Sequence, residues 1–232
     1  RRLLADGPLR IKRLRATAGR GQAVARDAAE LDGVLQTLDV AELPAYGLVL
    51  ERHLEEVTTY SVGQVRVANL QISYYGTQQL TADNQGSTVY GGSQLVIARG
   101  GFEHLLALAL PDAARLAVAQ ARVYDGAASA CFPGFFASRR NYDVLQGTDA
   151  RGRRCSGVLE QSWRIGGASG AEVAGLEAFA AEPGLLAVRA ACAEIYGTAQ
   201  SPAPGARILF QGVDEEVGMI TKCVTVESYG DA

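Results

Sequence analysis

A lysine followed by a glycine-containing loop stands near the start of the chain. Lys12 lies at the end of a short apolar segment, and the loop after it contains Gly19, Arg20 and Gly21. Glycines let the main chain approach phosphate oxygens closely, and a lysine ammonium supplies a compact positive charge. The pattern therefore indicates a polyphosphate-binding loop, and a simple turn between two strands is the alternative. It matches neither the P-loop nor the GxGxxG motif.

Two carboxylates and an arginine form a second candidate site, on a predicted β-hairpin. Asp143 lies on the first strand, and Glu160, Ser162 and Arg164 alternate along the second. Alternation with a period of two places these three on one face, and Asp143 can meet Glu160 across the ladder. Facing carboxylates repel unless a cation lies between them, and hard oxygen ligands suit Mg²⁺. We therefore expect a magnesium site with an arginine beside it; an exposed ion pair on the sheet surface is the alternative.

A third candidate lies where an apolar strand ends at residues 50–54. Here Leu50 is followed by Glu51, Arg52, His53 and Leu54. The segment leads from one predicted lobe to the next, and ligands are commonly bound where two lobes meet. A solvated strand end is the alternative interpretation.

Composition excludes several classes of protein. The 232 residues are 48% hydrophobic and 20% charged, which is ordinary for a globular protein in solution. A net charge of −3 gives no general attraction to nucleic acid or to an anionic membrane. No apolar run approaches the ~20 residues of a membrane span, and no signal-peptide pattern is present. We expect reduced thiols in a cytoplasmic protein and no zinc site, because the cysteines are widely spaced and contain no CxxC pair: Cys131, Cys155, Cys192 and Cys223.

Strand and helix signals predict an α+β fold with a small N-terminal lobe at residues 1–50 and a larger, mostly antiparallel lobe at 51–232. Turn residues and period-two alternation place strands at 9–14, 22–25, 47–51, 58–67, 70–75, 89–99, 141–146, 157–161, 207–212 and 219–227. Helical spacing and caps predict helices at 27–38, 102–110, 112–129, 170–182 and 185–196. The small lobe is expected to be a βαβ-like unit. Because the chain opens on Arg1 without an initiator Met, we also expect an upstream lobe.

Taken in order, these features resemble the ATP-grasp superfamily. The pattern of that superfamily is a strand, a lysine and a Gly-Arg-Gly loop, then a hydrophobic strand ending in Glu, then Asp followed by Glu-x-Asn-x-Arg. Here it corresponds to Lys12 with the loop at 19–21, Glu51, Asp143 and the segment at 160–164. The resemblance covers nearly the whole chain. The segments at 139–143 and 157–167 are also similar to an uncharacterised bacterial family labelled biotin-carboxylase-like.

The resemblance implies an ATP-grasp fold and roles for individual residues. Lys12 would contact the ATP phosphates, and the loop with Gly19, Arg20 and Gly21 would close over them. Adenine would be held by Glu51 and the neighbouring residues Arg52, His53 and Leu54. Mg²⁺ would be bound by Asp143, Glu160 and Ser162, and Arg164 would steady the transferred phosphoryl group.

Two departures from the family pattern bear on the chemistry. Ser162 replaces the Asn of the family and is a shorter ligand, which disfavours a second Mg²⁺. The residues after Arg164 are Ile-Gly-Gly-Ala, unlike the Gln-Val-Glu-His of biotin carboxylases, and this argues against bicarbonate and biotin.

The resulting functional expectation is a Mg-ATP-dependent ligase that activates a carboxylate for attack by an amine or a thiol. Its small anionic substrate would be held by Arg66, Arg139 or Arg140. An ATP-dependent carboxylase and a nucleotide sensor without turnover are the alternatives. No nucleic-acid or membrane partner is expected, and a homodimer is among the assemblies that the sequence allows.

Overall fold

The protein, described by a computed structural model over residues 2–13, 22–38 and 43–230, forms two compact units. The first comprises Arg1–Thr58 and Gln146–Ser156, and the second comprises Thr59–Leu145 and Gly157–Ala232. The predicted division between residues 50 and 51 therefore lies inside the first unit, which also contains the tip of the predicted hairpin.

The described part of the first unit is built on a sheet of three strands in the order β2-β1-β3. These strands are β1 (Leu9–Arg13), β2 (Gln22–Ala25) and β3 (Leu48–Arg52). Because β1 pairs antiparallel with both neighbours, β2 and β3 run parallel to each other on either side of it, and the helical connection between them forms the expected βαβ-like unit, split by β1. Helix α1 (Ala28–Gln36) begins where the Asp27 carboxylate accepts the backbone N–H of Glu30 at 2.8 Å, as its sequence predicted. The short α2 (Leu43–Tyr46) leads into β3.

The second sheet has eight strands among the described residues, in the order β10-β11-β9-β6-β5-β4-β7-β8. They are β4 (Glu55–Val67), β5 (Leu70–Ala82), β6 (Thr88–Arg99), β7 (Arg139–Thr148), β8 (Arg154–Ser162), β9 (Ala187–Tyr196), β10 (Arg207–Asp214) and β11 (Gly218–Ser228). The strand pairs from β10 through β11, β9, β6 and β5 to β4 are antiparallel. The predicted turn at Ala68 joins β4 to β5, and Ala68 has a positive φ of 51°.

Strand β9 contradicts the helix expected at residues 185–196. Its alanine-rich sequence has high helix propensity, but the segment lies in the middle of the sheet and pairs with β6 on one side and β11 on the other. Two complete ladders of backbone hydrogen bonds override the local preference. Ala190 is almost fully buried there, and its small side chain leaves room for the helix that covers this part of the sheet.

Helices cover both faces of the second sheet. On one face, α5 (Ser169–Ala181) buries Ala171, Ala174 and Phe179 against strand residues such as Ile97. On the other, α3 (Phe102–Leu106) and α4 (Asp112–Cys131) bury side chains such as Leu105 and Ala117. We call these the α5 face and the α4 face. No helix in the described ranges is both long and apolar enough to cross a bilayer. The predicted α+β class, with mostly antiparallel sheets, is confirmed.

Candidate functional site

The predicted metal-binding carboxylate Asp143 lies on the α5 face, where two polar side chains hold it. The Ser61 hydroxyl of β4 donates a hydrogen bond to Asp143 Oδ1 at 3.0 Å. The amide of Gln78, on β5, donates to Asp143 Oδ2 at 3.3 Å and to the Ser61 hydroxyl at 3.2 Å. Three neighbouring strands therefore fix the orientation of one carboxylate.

Glu160 lies near enough to Asp143 for its negative charge to act on that carboxyl, as the predicted hairpin implied. Burial raises the pKa of Asp143, and the negative charge of Glu160 raises it further, against the lowering effect of the hydrogen bonds from Ser61 and Gln78. Glu160 itself is exposed on β8. The two carboxylates therefore interact unfavourably as anions, and a cation placed beside them would relieve that repulsion.

Beside this pair lies a buried ion pair that the sequence interpretation did not find. Arg139, on β7, donates to both carboxylate oxygens of Glu172, with Nε at 2.8 Å from Oε2 and Nη2 at 2.8 Å from Oε1. The Tyr74 hydroxyl donates to the same carboxylate at 2.6 Å, and Asn141 donates to the Tyr74 hydroxyl at 3.2 Å. Burial opposes the charge on Arg139, but its hydrogen bonds to Glu172 and the nearby negative charges leave its pKa raised.

Arg139 also fixes the end of β8. Its Nη1 donates to the Ser162 carbonyl at 3.2 Å, to the Ser162 hydroxyl at 3.3 Å and to the Arg164 carbonyl. The Ser162 hydroxyl therefore faces a fixed positive charge, which disfavours a second metal ion there. Arg164 is exposed, and its guanidinium donates only to the carbonyl of Ile165, at 3.0 Å, among the described residues. Arg139 is thus committed to internal contacts, whereas the side chain of Arg164 faces solvent.

The described residues contain no cluster of three or more His, Cys, Asp or Glu side chains suited to a metal ion. A pair of carboxylates nevertheless fits Mg²⁺, which keeps several of its waters and is commonly held by one or two carboxylates together with substrate phosphates. The ligands available on the α5 face are hard oxygens, from Asp143 and Glu160.

In the first unit, the predicted phosphate ligand and the predicted adenine ligand contact each other. Lys12 Nζ lies 2.6 Å from Glu51 Oε2, and both side chains are largely buried, with 18% and 30% exposure. The ammonium is therefore already paired with a carboxylate in this structure. Gly19, Arg20 and Gly21 lie outside the described residues.

The other residues predicted near adenine have structural partners within the first unit. Arg52 donates to Asp149 at 3.3 Å, and Leu54 is half-buried after β3. The ring of His53 lies 3.4 Å from Arg10 Nη2, and burial together with the charge of Arg10 lowers the pKa of this histidine.

Two of the three arginines expected to hold an anionic substrate, Arg66 and Arg140, do not share the face of Asp143, whereas Arg139 does. Arg140 alternates with Arg139 and projects to the α4 face, where it donates to Asp125 at 3.0 Å and 3.2 Å. Arg66 donates to Gln71 at 2.7 Å, and together Arg66 and Arg140 line a cavity of about 230 Å³. The strand alternation therefore separates these two arginines from the carboxylate pair, and the expectation that they assist it is not supported by their positions.

Sequence reasoning missed Ser61, Gln78 and Glu172, which position the site. Two signals were available for them. Ser61 and Gln78 are polar side chains on the strand face that also carries the buried Val65 and Ile72, and Glu172 is a charged residue on the buried side of an alanine-rich helix. An isolated charge at a buried helix position requires a partner, and Arg139 is that partner.

Comparison with known proteins gives a family without an assigned function. A family model described as "Protein of unknown function (DUF3182)" matches residues 1–224. No curated protein matches the chain. The match contradicts the resemblance inferred from the sequence, because nothing in it places the chain in the ATP-grasp superfamily or in a biotin-carboxylase-like family.

Proposed function

Because the chain belongs to the DUF3182 family, whose function is unknown, we propose from the geometry of its α5 face that it is a Mg²⁺-dependent enzyme acting on a phosphate compound. The observation that carries the proposal is the carboxylate pair of Asp143 and Glu160, in which the charge of one raises the pKa of the other. ATP is the phosphoryl donor that we propose, and the reaction class is ligase-type activation of a carboxylate.

The held carboxylate supports the metal part of the proposal. Ser61 and Gln78 donate hydrogen bonds to the Asp143 carboxylate and so fix its orientation before a metal ion binds. Glu160 can approach the same ion from the exposed side of β8. Preorganised ligands of this kind bind an ion with little rearrangement, and a bound phosphate would complete the coordination.

The exposed guanidinium of Arg164 supports the phosphate part. Its backbone is held in place through the hydrogen bond from Arg139, while its side chain remains available to the solvent. Arginine matches the geometry of phosphate oxygens, and phosphoryl transfer depends on positioning and charge neutralisation more than on a strong base.

In the proposed reaction, a carboxylate oxygen of the substrate attacks the γ-phosphorus of ATP, and the bond to the β-phosphate oxygen breaks to release ADP. Asp143 and Glu160 would hold a Mg²⁺ ion, which would supply charge neutralisation for the phosphates, and Arg164 would steady the transferred group. An amine or thiol then attacks the acyl phosphate, and inorganic phosphate leaves.

A nucleotide-binding protein without turnover is a second candidate. It is favoured by the Ser162 hydroxyl, which already accepts a hydrogen bond from Arg139 and so offers a poor site for a second ion. In this case the protein would bind Mg-ATP and release no ADP.

The first experiment measures Mn²⁺ binding by electron paramagnetic resonance and Mg-ATP binding by calorimetry. We expect Glu160→Gln to weaken metal-dependent nucleotide binding by more than about tenfold, since it removes a negatively charged oxygen ligand. The matched control is Glu215→Gln, at an exposed glutamate in the turn after β10, which should bind like the unaltered protein. Unchanged binding in Glu160→Gln would contradict the site.

The pH dependence of metal binding gives an independent check. A protonated carboxyl is a poor metal ligand, and the pKa of Asp143 is raised above its usual value of 3.8. Metal affinity should therefore fall, as the pH is lowered, at a higher pH than an ordinary aspartate would produce. A screen of ADP release against mixtures of carboxylates and amines then separates the ligase from the non-catalytic protein.

A further inference from the structure

A cavity of about 490 Å³ opens on the α4 face of the large sheet, away from Asp143 and Glu160. Its walls come from β4, β5, β6, β9 and β11 and from the first turn of α4. Strand alternation places its tyrosines, Tyr60 and Tyr75, on the side of Val62, which packs against α4. Its volume is in the usual range for small-molecule sites.

The cavity contains an arginine whose charge is not neutralised. Among the described residues, Arg189 has no hydrogen-bond acceptor and no carboxylate within contact distance, and its guanidinium lies over the ring of Tyr229, 4.8 Å from the centroid. Stacking on an aromatic ring orients the guanidinium without using its N–H groups. These donors are therefore available to an oxyanion.

An acidic residue stands directly beside this arginine. Glu227, on β11, is the cross-strand partner of Arg189 and lines the same cavity. Cross-strand partners have Cβ atoms about 5 Å apart. The described structure nevertheless contains no ion pair between them, because the guanidinium is drawn over Tyr229. Among the residues that the structure describes, the cavity therefore presents one unpaired cation next to one unpaired anion, both of them exposed.

The remaining walls provide apolar surface and neutral hydrogen-bond donors. Pro111, Ala114 and Val96 supply the apolar part. Burial raises the pKa of Tyr75, and the nearby Tyr229 adds to this effect, so the Tyr75 hydroxyl stays neutral at physiological pH and can donate a hydrogen bond. The cavity can therefore accommodate a ligand that carries an anionic group, a cationic group and an apolar group.

We propose that this cavity binds a free α-amino acid with an apolar side chain. Its carboxylate would be held by Arg189 and its ammonium by Glu227, while its side chain would lie against Pro111, Ala114 and Val96. A free α-amino acid carries its ammonium and its carboxylate on the same carbon, so the neighbouring Arg189 and Glu227 can bind both groups at once. The two charged groups of a peptide are too far apart to satisfy both. The inference does not depend on the proposed function, since the two sites lie on opposite faces of the sheet.

The experiment measures calorimetric binding of L-leucine and L-phenylalanine to the whole chain. We expect binding to weaken about tenfold to a hundredfold in Arg189→Gln and in Glu227→Gln, because each removes one charged hydrogen bond. The matched controls are Arg122→Gln and Glu215→Gln, at exposed residues outside the cavity, which should bind like the unaltered chain.

Two analogues test the assignment of each charge, independently of how well a variant folds. N-acetyl-L-leucine lacks the ammonium, so its residual binding should depend on Arg189 and be unaffected by Glu227→Gln. L-leucinamide lacks the carboxylate and should show the opposite dependence. The proposal is overturned if neither amino acid binds, if Arg189→Gln binds them as the unaltered chain does, or if the acetylated analogue binds as tightly as leucine.

A final measurement separates this site from the carboxylate pair. Glu160→Gln should leave leucine binding unchanged, and Arg189→Gln should leave Mn²⁺ binding unchanged. Loss of leucine binding in Glu160→Gln would assign the amino acid to the other face and overturn the proposal.

Discussion

At the scale of the residue, the buried pair of Arg139 and Glu172 organises the α5 face. Its side chains are exposed by only 9% and 2%, and Arg139 connects the end of β8 to the first turn of α5. Burying two charges is unfavourable unless each receives its full set of hydrogen bonds. Here the bonds from Arg139 and from Tyr74 satisfy Glu172, so the pair fixes one arrangement of the segment that ends in Arg164.

Glu172→Gln is predicted to destabilise the protein by about 3–5 kcal/mol, because it leaves the charge of Arg139 buried without a counter-ion. The measurement is the free energy of unfolding in urea. Glu177→Gln, in the same helix, is the control: Glu177 pairs with Arg207, but both side chains are more than half exposed, and the change should cost no more than about 1 kcal/mol. Equal effects of the two changes would show that the buried pair has no special role.

At the scale of the element, the close packing of β4 on β5 depends on Gly63. A Cβ atom at this position would lie 2.4 Å from the Tyr74 hydroxyl and 2.5 Å from the Arg140 carbonyl. The tyrosine ring therefore crosses the space that a side chain would fill, and this crossing brings its hydroxyl to Glu172 and Asn141. A glycine in the interior of a strand commonly marks such a close approach.

Gly63→Ala is predicted to lower the stability by about 1–3 kcal/mol, because either Tyr74 or the backbone of β7 must move. Gly126→Ala is the matched control within α4, where a Cβ would meet nothing within 4 Å. An alanine is a better helix former than a glycine, so this change should raise the stability by up to about 1 kcal/mol. Thermal unfolding of both variants measures whether the two changes in stability have opposite signs. A stabilising effect of Gly63→Ala would contradict the packing described.

At the scale of the whole molecule, the two units differ in the size of their described cores. The first has a buried cluster of Ile11, Ala25 and Leu31 with a few half-buried neighbours. The second has two larger clusters, one on each face of its sheet. Local stability follows the amount of buried apolar surface, so the units should not open with equal ease.

Hydrogen exchange is therefore predicted to be faster for the amides of β1 than for those of β5 and β6. The comparison is made by mass spectrometry on peptides from each strand, under native conditions. Addition of Mg-ATP gives a second readout, since a ligand that binds the folded chain slows exchange at the elements that hold it. Equal protection of β1 and β6 would indicate that the chain unfolds as one cooperative body.

Local patterns predicted the elements that carry short-range signals. The Asp27 cap predicted the start of α1, and the turn at Ala68 predicted the hairpin of β4 and β5, because capping and turn geometry involve only adjacent residues. The segment at 187–196 was predicted incorrectly, since its alanines favour a helix and only pairing with β6 and β11 makes it a strand. Its neighbours in the sheet are distant in sequence, so no local pattern identifies them.

The sequence by itself determined the α+β class and predicted that Asp143 and Glu160 lie near each other, because both follow from alternation along strands joined by a short turn. The tertiary structure decided what surrounds those carboxylates. Ser61 and Gln78 come from other strands, and Glu172 comes from a helix that packs onto the face. It also decided that Lys12 contacts Glu51 and that Arg189, within the described ranges, has no counter-ion although Glu227 is its cross-strand neighbour. Such contacts join residues far apart in the chain, and they depend on sheet order and register, which the spacing of residues in a sequence does not specify.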